Sequence, residues 1–403
     1  MNSNNIVWAT KLDSALSIHG SRQRYRVLEL GKTARKLNSD YVYGVDLVRF
    51  ACAVGVGIYH LTWGTPEIAW VMPFGWIGVE IFFVISGLVI ANSAQGASAR
   101  QFVTSRFLRL YPTAWCAAIV SYPLYLWTFG KNGYKFWPLF LSLVLLHAPF
   151  LAYAYWTLPI ELSFYFLVFL LIKSNGFDNI QWLSIILILW GAPYLIALSL
   201  NTRGLVHWSW IDFGYGAWNM SLLRHGPYFG LGILVWLFKE RRIDKLGLFA
   251  AALALMLGFM EIYARAVKLF PEFARSAHLL GKPWAHLAIS SDIAFCLGFA
   301  AIVLSVRFNN MFPTNPAARR FTRLLGLTTY PFYLLHERVG GYVIYQLNRV
   351  GFAHFPGVMV ALICTGAISL IIASYFEPAL RSFLRQNVGV LGPAPKERVS
   401  QTT

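Results

Sequence analysis

Charge is what this sequence has least of. Only 13% of its 403 residues are Asp, Glu, Lys or Arg, against about a quarter in soluble globular domains. Acidic residues are the scarcer half, 17 against 34 basic ones. Cysteine is scarce as well. Cys52, Cys116, Cys296 and Cys364 all stand in apolar stretches without a CxxC pair, which fits small packing residues and argues against a metal site or a disulfide framework. The first 40 residues are polar and basic and lack the apolar core of a secretory signal, so insertion is expected to begin with the first span. Internal repeats, low-complexity tracts and heptad runs are missing too, which excludes solenoids and coiled coils.

What remains is apolar: 57% of residues are hydrophobic, 16% are aromatic, and the mean hydropathy is +0.54. One soluble core cannot hide so much, so the composition indicates a protein that crosses a bilayer many times. Apolar runs long enough to cross lie near 42–63, 74–95, 110–129, 153–173, 181–200, 220–238, 246–264, 286–306, 325–347 and 357–378. An eleventh run, 136–151, is shorter and carries Pro138 and Pro149 near its ends.

The net charge of +17 would suit a nucleic-acid partner, but Lys and Arg fall between apolar runs and form no basic face of a polar domain. Loop charge in a membrane protein sets orientation. The basic clusters are the N-terminal tail, 100–109, 239–245, 307–323 and the C-terminal tail. If 136–151 does not cross, all five lie in the cytoplasm. The expected fold is therefore an all-α transmembrane helix bundle of about ten spans in the plasma (inner) membrane, with both termini in the cytoplasm. It would comprise a basic tail (1–40), a membrane domain (41–380) and a C-terminal tail (381–403). The 136–151 segment becomes a short re-entrant or interfacial helix, and loops 201–219 and 265–285 face outward.

A charged side chain at bilayer centre costs about 2.5–3.5 kcal/mol on insertion scales. Those present should therefore face a protein-lined cavity and a partner. The candidates are Asp46, Arg49 and His60 in the first span, Glu80 in the second, Glu161 in the fourth, and His336 with Glu337 in the ninth. At about 1.5 Å per residue, His60 lies roughly 27 Å above the inner boundary, while Glu80 and Glu161 lie roughly 9 and 12 Å below the outer one. All three fall in the outer third of the bilayer, which points to a shared polar pocket. An imidazole beside carboxylates is a competent general base near neutral pH. Arg49 lines the same helix face roughly 16 Å deeper. Arg106 and Arg109, three residues apart at the inner end of the third span, present guanidinium forks suited to phosphate.

At these residues the chain resembles the acyltransferase family 3 membrane proteins. The first-span pattern of Arg and, after ten intervening residues, His appears as DLVRFACAVGVGIYH, with Arg49 and His60. The second-span pattern appears as GVEIFFVISG, with Glu80 where many members have Asp. RFLRLYP carries Arg106 and Arg109. WTLPIELSFY carries Trp156 and Glu161, with Thr157 where the pattern has Ser. YPFYLLH carries Tyr333 and ends at His336. These five segments stand in the family's order over roughly 42–380.

The resemblance implies an acyl-CoA co-substrate taken from the cytoplasm, no tightly bound cofactor, and a glycan or oligosaccharide hydroxyl acylated at the outer side. It implicates His60, Glu161, Glu80 and Arg49 in catalysis and Arg106 with Arg109 in holding CoA. His336, Trp156 and Tyr333 are expected in secondary or substrate-facing roles. Glu161 or Glu80 is expected to orient the His60 imidazole, and Arg49 or a nearby donor to stabilise the oxyanion. A proton-coupled transporter or flippase is the alternative on physical grounds, since buried Arg, His and Glu suit that task equally.

Overall fold

The computed structural model describes residues 41–63, 65, 73–129, 136–146, 150–209, 211, 218, 220–276, 285–312 and 315–387. The expected N-terminal tail, and the C-terminal tail beyond 387, lie outside the described residues. Among the described residues there is no strand. Helix α1 is Tyr43–Thr62, and α2 (Gly78–Ala94) follows a 3-10 turn at Gly75–Ile77. Helix α3 (Ala99–Phe129) and a short α4 (Trp137–Val144) come next, then α5 (Thr157–Lys173), entered through a 3-10 turn at Tyr153–Trp156. Helices α6 (Ile180–Thr202), α7 (Leu222–Lys239), α8 (Lys245–Ser276), α9 (Ala285–Arg307), α10 (Pro316–Arg349) and α11 (His354–Ile371) complete the bundle. A π turn at Ile372–Phe376 leads into α12 (Glu377–Asn387).

Among the described residues, seven segments are long and apolar enough to cross a membrane: Tyr43–Thr62, Gly75–Ala94, Tyr153–Lys173, Phe177–Thr202, Lys245–Phe270, Ala288–Arg307 and His354–Asn387. Helices α3, α7 and α10, with 31, 18 and 34 residues, have the length but are too polar to join that set. For α7 the physical reason is plain. Every residue from Arg224 to Leu237 is buried, so the helix is sheathed by α2, α6 and α8 and needs no lipid-facing surface. Helix α9 is its opposite, with Ile289, Ile293, Leu297 and Leu304 all exposed along one side.

Packing divides around α1 and α2. Helix α1 lies against α10, α9 and α2, while α2 lies against α7 and α5. The α2–α7 crossing is the closest: a Cβ on Gly232 would overlap the Val84 carbonyl oxygen, and one on Gly87 the Phe229 carbonyl. Only glycine permits backbones to meet this closely. Helix ends use local caps. Asn315 Oδ1 accepts from Ala317 N–H at 2.9 Å, ahead of Pro316 in the first turn of α10, and Ser221 Oγ accepts from Leu223 N–H at 3.2 Å.

The run 136–151 holds an eight-residue helix, closed by Leu145 at φ 57°, and eight residues rise about 12 Å, too little to cross, in line with the short non-crossing helix expected there. It is tied to α3 through Trp115 Nε1, which donates to Leu143 O at 2.9 Å. The supposed outer loop 265–285 is a correction. Helix α8 continues to Ser276, so Arg265 is a helical residue facing the bundle. Likewise the chain does not leave the bundle at 381, because α12 continues to Asn387 and buries Leu384.

Candidate active site

His60, in the last turn of α1, meets His336 of α10. Their rings lie parallel within 15° with centroids 5.1 Å apart, and His60 Nδ1 is 2.8 Å from His336 Nε2. The other His336 nitrogen, Nδ1, is 2.7 Å from the Tyr333 carbonyl oxygen. A carbonyl only accepts, so His336 Nδ1 carries the proton, and in the neutral ring Nε2 is left as an acceptor. His60 Nδ1–H therefore donates to it. The lone pair of His60 stands on Nε2, which bonds to no described residue. This chain of donors fixes the tautomer of His60 without a carboxylate.

The two carboxylates expected to orient the imidazole are engaged elsewhere. Glu80, fully buried, is paired with Arg265 of α8 at 2.8 Å. Glu161 Oε1 accepts from the Tyr165 hydroxyl at 2.5 Å and from the Ser86 hydroxyl at 3.3 Å. The expected arrangement is corrected accordingly: His336, not Glu80 or Glu161, is the partner of His60. The WTLPIELSFY segment places Glu161 one turn before Tyr165 on the same helix face, so the hydroxyl takes the carboxylate first.

Below the histidines lies a cavity of about 60 Å³ walled by Arg49, Ser86, Thr157, Glu161, Tyr330 and Tyr333, among others. At roughly 10–15 Å³ per water it has room for only a few. It ends against Tyr333, one turn of α10 before His336. Pro331 has no N–H to continue the helical ladder at this level, and the hydroxyls of Thr328 and Thr329 turn back onto the carbonyls of Leu324 and Leu325. Trp156 is set beside the pocket, with its ring centroid 6.4 Å from Tyr153 and 5.4 Å from His225. Tyr153 itself approaches His60 edge-on at 6.4 Å, and its N–H donates to Glu337 at 2.7 Å. Arg338 Nε donates to Leu151 O at 2.6 Å, so neighbouring residues of α10 pin the α5 entry segment beside the histidine pair.

Toward the other end, Arg49 has Arg109, Asp46, Glu161 and Tyr165 as its electrostatic neighbours. Arg109 is 3.8 Å from Glu377 of α12. Glu377 also accepts from Thr113 at 2.6 Å and pairs with Arg381. Arg106 lies over the Tyr165 ring at 6.0 Å and bonds Ser105 at 3.0 Å. Arg381 has Arg106, Arg109 and Arg385 around it. Two guanidiniums, those of Arg109 and Arg381, thus share the Glu377 carboxylate, and the buried Nε atoms of Arg106 and Arg381 have no acceptor among the described residues. The polar trail runs from this cluster through Arg49 and Glu161 to Tyr333 and the histidine pair.

Sequence reasoning passed over further charges inside the bundle, Arg224, Glu261 and Arg265 among them. Arg224 and Glu261 are joined at 2.9 and 2.5 Å, with the Tyr228 hydroxyl donating to Glu261 at 2.7 Å. Both lie inside predicted spans, and an ionisable residue inside an apolar run is itself the signal. Arg265 was hidden by ending its span one residue early.

The comparisons with known proteins follow the same residues. The family profile of the acyltransferase domain of acyltransferase family 3 matches residues 42–376. The chain is 32% identical over 96 residues to the peptidoglycan O-acetyltransferase OatA of Listeria monocytogenes serovar 1/2a, a match covering 22% of this chain and 14% of that protein. No solved structure matches the chain.

Proposed function

Because the chain belongs to acyltransferase family 3, and so is a membrane-embedded acyltransferase, we propose that it carries an acyl group from cytoplasmic acyl-CoA to a hydroxyl of a glycan or glycosylated acceptor at the outer side of the plasma (inner) membrane. Acetyl is the group of choice, since the relative with a described activity is an O-acetyltransferase. The observation that carries this reading is the directed hydrogen-bond chain Tyr333 O, His336, His60. It leaves His60 Nε2 as an unprotonated nitrogen, one turn of α10 from Tyr333 of the cavity wall through His336.

In this account His60 Nε2 removes the proton of the acceptor hydroxyl as its oxygen attacks the thioester carbonyl. The imidazolium formed is shared with His336 through the 2.8 Å contact, which spreads the charge in a low-dielectric site. The proton then passes from His60 to the departing thiolate, so none is gained or lost. Glu161 and Arg49 line the passage below and interact with the donor arm. Arg106 and Arg109, joined by Arg381 and Arg385 of α12, hold the CoA phosphates at the inner mouth, as guanidinium forks suit phosphate oxygens. The 60 Å³ cavity must widen to admit the donor arm, and side-chain movement of Tyr330 and Tyr333 is the simplest way.

Ten spans with both termini in the cytoplasm suit this arrangement. Helices α3, α7 and α10 have the length to cross, and the arginine cluster of α3 and α12 then falls on the side where acyl-CoA is made. The test uses the purified protein in lipid nanodiscs with acetyl-CoA and a hydroxylated glycan. Acceptor-dependent release of CoA thiol supports the enzyme. Carriage of a glycan without thioester consumption supports a transporter.

A further inference from the structure

The sequence offered Arg49 or a nearby donor as the group that stabilises the oxyanion, and the structure brings a second arginine, Arg265, to the turn of α1 that ends in His60. The 3-10 turn before α2 presses onto α1: a Cβ on Gly75 would overlap the Gly55 carbonyl and lie 2.8 Å from Tyr59 Cβ. This contact holds Trp76, 3% exposed, against the turn of α1 that ends in His60. The Arg265 guanidinium lies over the Trp76 ring, 4.4 Å from its centroid, and one of its nitrogens is 2.8 Å from Glu80 Oε1. An aromatic face below and a carboxylate at one edge leave a planar fork with one orientation.

Of the five N–H donors of a guanidinium, those not directed at Glu80 meet no acceptor among the described residues, and the side chain retains 19% exposure while Glu80 has none. Through the Trp76 ring, Arg265 stands by the turn of α1 that carries Tyr59 and His60. Arg49, by contrast, has Asp46, Glu161 and Arg109 around it. A buried cation with unused donors next to a general base is what a developing alkoxide requires.

We infer that Arg265 is a catalytic residue of the acyl transfer, donating to the thioester carbonyl oxygen as it becomes an oxyanion, and that Glu80 is the positioning residue that holds it. The inference rests on the acyltransferase reading above. When the acceptor oxygen bonds to the carbonyl carbon, the carbonyl electron pair moves onto oxygen and is met by the Arg265 N–H donors. Collapse of that pair expels the thiolate, which takes the proton held by His60. Glu80 therefore answers to charge balance within the membrane and to the orientation of Arg265, and does not touch the imidazole.

The alternative is that Arg265 only neutralises buried Glu80, and removing it alone would then disable the protein by leaving that carboxylate unpaired. The experiment compares Arg265→Gln, Arg265→Lys and the doubly neutral Glu80→Gln/Arg265→Gln variant in nanodiscs, following thiol release from acetyl-CoA. Arg265→Gln is expected to lose about 10²–10³ in kcat with little change in KM for acetyl-CoA. Arg265→Lys should recover part of that loss. The double variant should regain thermal stability and remain slow. Recovery of wild-type kcat in the double variant, where no charge is left to balance, overturns the catalytic assignment. A wild-type protein that releases no thiol counts instead against the acyl-CoA reading beneath it.

Discussion

His336 Nε2 lies 2.8 Å from His60 Nδ1, and its own Nδ1 is spoken for by the Tyr333 carbonyl. The relationship is directional. One backbone oxygen on α10 decides the protonation of two imidazoles and thereby which nitrogen of His60 is free to act.

A residue that orients the base should affect turnover more than affinity. His336→Ala is expected to lower kcat by roughly 10–100-fold, the scale reported for loss of groups that orient an imidazole, with KM for acetyl-CoA and for acceptor nearly unchanged. His336→Gln, whose side-chain oxygen can still accept from His60, should retain more activity than the alanine variant. Equal activity of both variants and wild type contradicts the positioning role. Steady-state kinetics in nanodiscs make the measurement.

The arginine cluster of α3 and α12 gives a prediction about affinity instead. A hydrogen bond to a charged group contributes about 1.5–3 kcal/mol, and each 1.4 kcal/mol is about a factor of ten. Replacing both Arg106 and Arg109 by Ala should raise KM for acyl-CoA by at least about tenfold while kcat at saturation falls little. Arg381→Ala, one turn beyond Glu377, should raise it as well, though less. KM values equal to wild type for all three remove the phosphate role.

Much of this architecture is legible in the sequence because apolar length and loop charge are one-dimensional signals. The runs near 42–63, 153–173 and 181–200 end within four residues of the bounds of α1, of α5 with its entry turn, and of α6 with its own. What periodicity cannot register is a polar helix made tolerable by its neighbours. Helix α7 fails as a lipid-facing span because Arg224 and His225 stand in it, and only the surrounding α2, α6 and α8 explain their presence. The site was half legible for a similar reason. His60, Glu80 and Glu161 were singled out by cost of burial, but cost does not name the partner. The pairing of His60 with His336 joins residues 276 positions apart, and the ion pair of Glu80 with Arg265 joins residues 185 apart. Arg265 was lost because the apolar run was closed at 264, whereas α8 continues to Ser276.

The Arg224–Glu261 pair separates structure from chemistry. Breaking a buried pair typically costs about 3–5 kcal/mol because the remaining charge is stranded. Glu261→Gln should therefore lower the unfolding temperature in detergent markedly, and Arg224→Met combined with Glu261→Met should restore most of it. A single variant as stable as wild type contradicts the view that this pair anchors α7 to α8.

The central claim is that His60 Nε2 is the base of an acyl transfer, and acceptor-dependent thiol release from acetyl-CoA measures it most directly. Wild-type protein in nanodiscs should release thiol in step with acceptor acylation, and His60→Ala should be about 10²–10⁴-fold slower in kcat at unchanged thermal stability. A His60→Ala protein that acylates the acceptor at the wild-type rate contradicts the account.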